Sequence, residues 1–169
     1  MQSPSSAFGP RILTGLSGVL LAVILAGLNE NVTKMALPDI RGVLGISVDQ
    51  GTWFVAVYAA ASVCAMAFAP WCSVTFSLRR FTVAALAAFA LFGALCPFAP
   101  NLPVLLLLRT LQGLAGGALP PMLMTVALRF LPANIKLYGL GGYALTATFA
   151  PSLGIPLAAF CTEVLGWRW

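Results

Sequence analysis

The sequence of 169 residues contains no histidine and few charged residues. Without histidine the chain cannot form the Ser-His or Cys-His pairs that activate catalytic nucleophiles, so we expect that it is not an enzyme. Only 8% of the residues are charged, compared with about a quarter in a soluble domain. With 60% hydrophobic residues and a mean hydropathy of +0.98, the chain predicts an integral membrane protein.

The four cysteines do not form a C-x-x-C pair, and no histidine accompanies them. They lie within or at the edges of apolar segments, at Cys64, Cys72, Cys96 and Cys161. This pattern is typical of small buried side chains, so we expect no metal site, no disulfide framework and no cofactor.

The excess of positive charge is spread thinly along the chain. Nine lysines and arginines stand between apolar runs, although the isoelectric point is near 9.4. A surface that binds nucleic acid needs basic residues clustered on one face. Nucleic acid is therefore excluded as a partner.

Five apolar segments are long enough to cross about 30 Å of hydrocarbon as helices. The predicted transmembrane helices cover about residues 12–36, 52–71, 81–98, 103–128 and 137–160. Pro38 is expected to end the first helix, because proline is poorly tolerated in a helix interior. The predicted fold is an all-α membrane bundle over residues 12–169, preceded by a tail at 1–11.

The loop charges predict the orientation of the bundle. If the tail is cytoplasmic, the inside loops carry five basic residues and no acid, namely Arg11, Arg79, Arg80, Arg129 and Lys136. The outside loops then carry two basic residues with three acids, namely Arg41, Arg168, Asp39, Asp49 and Glu163. This agrees with the positive-inside rule, so we expect a multi-pass protein of the cell (inner) membrane with a cytoplasmic amino terminus.

Three charged residues remain at membrane depth, where a charge costs about 2.5–3.5 kcal/mol and usually faces a bundle interior or a water-filled cavity. Glu30 and Lys34 are four residues apart and share a helix face. They form either a self-neutralised structural pair or a carboxylate that binds substrate or protons beside its counter-charge. Arg109 has no acid on its own helix, so Glu30 is its expected partner, with Lys34 tuning the carboxylate.

One face of the predicted fourth helix begins with polar side chains and continues mainly with glycines, which carry no side chain. Its members are Arg109, Gln112, Gly113, Gly116, Gly117 and Pro120. Gly113 and Gly117 form a G-x-x-x-G pair, which lets two helix backbones approach closely. Helix packing explains the glycines but does not explain Arg109.

Several short motifs, in this order, resemble those of the major facilitator superfamily. They are residues 36–38 (ALP), 50–53 (QGTW), 99–103 (APNLP), 108–118 (LRTLQGLAGGA) and 150–154 (APSLG), with Trp167-Arg168-Trp169 at the expected start of a sixth helix. Arg79 and Arg80 correspond to the end of the family's cytoplasmic loop motif. The resemblance is to the amino-terminal portion of the fourteen-helix drug:proton antiporter branch.

The resemblance implies the first half of a major facilitator fold, truncated at the start of helix six. It implies proton-coupled efflux of hydrophobic or amphipathic molecules by alternating access. The implied coupling and substrate site comprises Glu30, Arg109, Lys34, Asn29 and Gln112, and the implied helix-interface motif includes Ala150, Pro151 and Gly154. The implied partners are the lipid bilayer, a small-molecule substrate, protons, the remaining half of the transporter and a periplasmic adaptor protein.

Two other functions are compatible with the residues. A short pump of the small-multidrug-resistance type would work as a dimer around Glu30, but it would not use the fifth segment. A truncated membrane protein without transport activity would use its helices only for packing. Because five helices cannot form two rocking halves, we expect the chain to be a fragment of a longer protein.

Overall fold

The computed structural model describes residues 10–131 and 136–164, and all regular structure within them is helical. The helices are α1 (Pro10–Leu44), α2 (Val48–Thr75), α3 (Leu78–Leu95), α4 (Leu102–Gly117), α5 (Leu119–Phe130) and α6 (Lys136–Val164), with a 3₁₀ turn at Cys96–Phe98. Four spans in this part are long and apolar enough to cross a membrane: Gly15–Leu44, Val48–Thr75, Leu78–Phe98 and Leu102–Arg129. With α6, which has 29 residues, the expected all-α membrane fold of about five long helices is confirmed.

The first helix is longer than the sequence predicts. The expected end near residue 36 is wrong, because α1 continues through Pro38 to Leu44. A proline removes one backbone hydrogen bond, and membrane helices tolerate this loss where neighbouring groups compensate for it. The sequence prediction leaves residues 37–51 between the first two helices, but only three residues separate α1 from α2.

Local hydrogen bonds build this short corner. Gly45 has a φ of +62°, a left-handed conformation that favours glycine, and the Ile46 N–H donates to the Arg41 carbonyl at 3.2 Å. The Ser47 hydroxyl accepts from the Gln50 N–H at 3.2 Å, and the Gln50 side chain accepts from the Ser47 N–H at 3.0 Å. This capping box starts α2 at Val48, four residues before the predicted start.

The fourth predicted helix is divided in two. We expected one helix over 103–128, but α4 ends at Gly117 and α5 begins at Leu119. Pro120 and Pro121 have no N–H to donate to the carbonyls of Gly116 and Gly117, so the regular hydrogen-bond ladder is interrupted there.

Helices that are distant in sequence make the main packing contacts. The most extensive contacts join α2 to α4 and α1 to α6, and α3 also packs on α4, whereas the consecutive helices α1 and α2 touch little. One apolar cluster centres on Leu119, Met122 and Leu123, which are at most 1% exposed. A second cluster contains Phe54 and Leu105. The two clusters form apolar layers with polar side chains between them.

The corner between α2 and α3 carries a strained residue. Ser77 has a φ of +72° and is the one non-glycine residue with positive φ in the described ranges. Replacing Ser77 with glycine should raise the free energy of unfolding by about 1 kcal/mol, because glycine adopts this conformation without a steric clash. The measurement is thermal unfolding of the full-length protein in detergent.

Ser152→Gly is the matched control, because Ser152 is an exposed residue inside α6. There glycine should lower stability by roughly 0.5 kcal/mol, since it is a poorer helix former than serine. Equal effects of the two substitutions would contradict strain at Ser77.

Candidate transport site

Arg109 lies in the interior of the bundle and is only 8% exposed. Its guanidinium donates to the Thr33 hydroxyl at 2.6 Å and to the Gln112 side-chain oxygen at 3.0 Å. Thr33 belongs to α1, so the first bond joins α1 to α4 at the level between the two apolar layers. Hydrogen bonds to a charged donor are stronger than neutral ones, and these two orient the guanidinium.

Two aromatic rings of α2 cover the same guanidinium. Its central carbon is 4.8 Å from the centre of the Phe54 ring and 5.9 Å from that of the Tyr58 ring. A cation within about 6 Å of a ring face is attracted by the ring's quadrupole. Three helices therefore contribute to the environment of Arg109, which we call the arginine site: Thr33, Phe54, Tyr58, Arg109 and Gln112.

Glu30 pairs with Lys34 rather than with Arg109. The Lys34 Nζ lies 2.7 Å from the Glu30 carboxylate, and this is the one ion pair within 4.0 Å among the described side chains. The expected direct contact between Glu30 and Arg109 is therefore not formed. Lys34 reaches the carboxylate because it is one turn away on the same helix, while Thr33 presents its hydroxyl to Arg109.

The ion pair and the arginine site are nevertheless neighbours. Glu30 and Thr33 are three residues apart on α1, so they lie within one helical turn of each other. The Lys34 and Glu30 side chains are 43% and 37% exposed, so the carboxylate is accessible from outside this bundle. The three charges sum to +1, because the ion pair neutralises itself and Arg109 has only neutral partners in the described part.

Two hydrogen-bond donors at or near the arginine site have no acceptor among the described residues. They are the Nδ2 of Asn29 and the Nε of Arg109, both buried. A buried polar group without a partner is costly and marks a place where water or a ligand can bind.

Glycines of α4 allow this helix to pack closely against α2 at the arginine site. A Cβ on Gly113 would lie 2.5 Å from the Tyr58 carbonyl oxygen, and a Cβ on Gly117 would overlap the backbone of Ser62. On Gly116 it would lie 3.0 Å from the Tyr58 hydroxyl. The absence of side chains therefore lets α4 approach the backbone of α2, as the G-x-x-x-G pattern predicts.

The other predicted site residues lie away from Arg109. Arg79 and Arg80 are exposed in the first turn of α3. Ala150, Pro151 and Gly154 lie within α6, which packs on α1, but their side chains are outside the described part of the structure.

The sequence analysis missed Thr33, Phe54 and Tyr58. Thr33 could have been found because it lies on the face of α1 that contains Asn29 and Glu30. Phe54 and Tyr58 are four residues apart on α2. Aromatic pairs at helical spacing occur away from the site as well, since Phe68 and Trp71 are three apart farther along the same helix. This spacing therefore carries no specific signal for the site.

Long apolar helices around polar and charged side chains define a multi-pass membrane protein. The sequence profile of the Major Facilitator Superfamily matches residues 19–169. The chain belongs to this superfamily of membrane transporters.

Relatives from several bacteria align with nearly the whole chain. The probable multidrug resistance protein EmrY of Escherichia coli K12 is 28% identical over 88% of this chain and 29% of its own length. The fatty acid resistance protein FarB of Neisseria gonorrhoeae is 30% identical over the same shares. The multidrug export protein EmrB of Escherichia coli K12 is 24% identical over the entire chain and 33% of its own length. The chain thus spans about a third of the length of these relatives.

Proposed function

We propose that this chain forms part of a secondary active transporter that exports hydrophobic or amphipathic small molecules in exchange for protons. The observation that carries this proposal is the arginine site, where one buried guanidinium lies between two apolar layers. Charges at membrane depth are costly, and in membrane proteins they mark substrate paths and proton relays. Alternating access requires two halves that move against each other, so transport also requires the remaining half of the transporter.

The proposed substrates combine an apolar body with a polar group. The names of the relatives refer to multidrug export and to fatty acid resistance. In this chain, aromatic rings stand beside the buried Arg109 Nε, which has no hydrogen-bond partner among the described residues. This arrangement accepts apolar surface together with a hydrogen-bond acceptor. Such a surface is compatible with many molecular shapes.

Glu30 is the proposed proton carrier. Its partly exposed carboxylate can exchange a proton through a water-filled path, whereas Arg109 remains charged throughout. Protonation of Glu30 would release Lys34 and raise the summed charge of the three residues from +1 to +2. A cationic substrate such as ethidium and a proton would then compete through the same electrostatic field, which is what exchange requires.

The proposed setting is the inner membrane, with the amino terminus in the cytoplasm. The corner that carries Arg79 and Arg80 would then face the cytoplasm, as would Lys136 at the start of α6, in agreement with the positive-inside rule. A periplasmic adaptor protein is the proposed partner on the opposite side. The short corners at Gly45 and at Asn101 would face that side.

The test is transport by the full-length protein in proteoliposomes. We expect a pH gradient to drive accumulation of ethidium or of a long-chain fatty acid, and we expect an ionophore that collapses the gradient to stop it. Transport that persists without the gradient would contradict proton coupling. Transport by the 169-residue segment alone would favour the short dimeric pump, and no transport of either probe by the full-length protein would favour the non-transporting alternative.

A further inference from the structure

A cavity lies at the end of the bundle that carries the α2–α3 corner. Its volume is about 1180 Å³, and this partly open cavity is lined by the first part of α1, the end of α2, the start of α3 and the end of α5. On α1 its lining extends to Ala22, which is eleven residues from Thr33. Eleven helical residues correspond to about 17 Å, so this cavity is separate from the arginine site.

Two arginines give the cavity a positive charge. Arg79 lines it from α3 and Arg129 lines it from α5, and both side chains are exposed. None of the described lining residues is acidic, and neither arginine forms an ion pair with a described residue. The Ser77 hydroxyl adds a polar group to the same lining. The cavity is therefore suited to a ligand that carries negative charge.

The rest of the lining is mostly apolar. Leu16, Val19 and Leu86 contribute hydrocarbon surface, while Gly15 and Gly18 contribute no side chain. A Cβ on either glycine would meet no atom within 4 Å, so the space beside α1 is open. The preferred ligand thus has a hydrocarbon part as well as an anionic group.

We propose that this cavity binds an anionic phospholipid of the inner leaflet. The phosphate would lie between Arg79 and Arg129, since guanidinium groups bind phosphate through paired hydrogen bonds. One acyl chain would occupy the space beside Gly15 and Gly18. Basic pockets between helices at the cytoplasmic face bind such lipids, and in the orientation proposed above this corner faces the cytoplasm. This site goes beyond transport and does not depend on the role of Glu30.

The experiment compares thermal unfolding of the full-length protein in nanodiscs of phosphatidylcholine with and without phosphatidylglycerol. We expect phosphatidylglycerol to raise the melting temperature of the wild type. The double variant Arg79→Gln/Arg129→Gln should lose this increment. Arg80→Gln is the matched control, because Arg80 is exposed beside Arg79 but does not line the cavity, and it should keep the increment.

A second measurement tests the acyl-chain part. Glycerol phosphate, which has the head group but no acyl chain, should not reproduce the stabilisation in detergent. Gly18→Leu should weaken the response to phosphatidylglycerol by filling the open space, when the response is measured against the melting temperature of the same variant in pure phosphatidylcholine. Equal losses in Arg80→Gln and the double variant would show attraction of lipid to surface charge in general and would overturn the proposal. A wild-type melting temperature that is the same with and without phosphatidylglycerol would also overturn the proposal. It would indicate that the remainder of the protein fills the cavity.

Discussion

Replacing Glu30 with glutamine should abolish drug-driven proton release by the full-length protein while the protein still inserts and folds. Glutamine keeps the size of the side chain and its acceptor oxygen toward Lys34, but it cannot exchange a proton at physiological pH. The ion pair is partly exposed, so its loss should lower stability by less than about 1 kcal/mol. The measurement is the pH change in lightly buffered proteoliposomes when substrate is added, with the wild type as reference.

Lys34→Gln is the control for this experiment, because it breaks the same ion pair and keeps the carboxylate. We expect it to retain drug-driven proton release, with a changed dependence on pH. Coupling like that of the wild type in Glu30→Gln would reduce Glu30 and Lys34 to a structural pair. Equal loss in the two variants would point to the ion pair itself rather than to proton exchange by Glu30.

Replacing Gly117 with alanine should separate α4 from α2 and disrupt the bundle. The added Cβ would lie 2.5 Å from the Cα and 2.7 Å from the carbonyl carbon of Ser62. These are backbone atoms, so the clash cannot be relieved by rotation of a side chain. Overpacking of this kind costs about 1–3 kcal/mol, and a displaced α4 would also move Arg109 away from Thr33. We expect a lower melting temperature in detergent and a loss of transport.

Gly42→Ala provides the comparison. Gly42 is also helical, but a Cβ there would meet no atom within 4 Å. Alanine at this position should leave transport unchanged and raise stability by up to about 1 kcal/mol, because it is the better helix former. If Gly117→Ala and Gly42→Ala behaved alike, the close approach of α4 to α2 would not be required for folding.

Helices and membrane character were predictable because hydropathy is a property of each segment by itself. Helix ends were less predictable, since they depend on competition between local signals. Pro38 is a strong breaker in isolation, yet the glycine at 45 and the capping box at 47–50 end α1 and start α2. Pro120 and its neighbour, placed inside a predicted helix, do interrupt it.

The charged members of the candidate site were visible in the sequence, but their partners were not. Arg109 and Glu30 stand out because charge is rare in this chain. Thr33, Tyr58 and Phe54 are ordinary residues of membrane helices, and they become specific only when α1, α2 and α4 meet. Opposite charge suggested a pair between Glu30 and Arg109, but Lys34, one turn away on the same helix, forms the ion pair with Glu30 instead. The coupling roles of these residues stay predictions.

The weak contact between α1 and α2 has a consequence for biosynthesis in the membrane. Each of the first two helices finds its main partner later in the chain, α2 in α4 and α1 in α6. Because α1 and α2 are synthesised before α4, the Thr33 hydroxyl and the Tyr58 ring have no contact with Arg109 until α4 has been translated. When α4 emerges, its arginine carries an insertion cost of about 2.5–3.5 kcal/mol until it meets them. The order of synthesis thus makes the arrival of α4 the step at which α2 and α3 gain their main packing partner, while α1 gains its own only with α6.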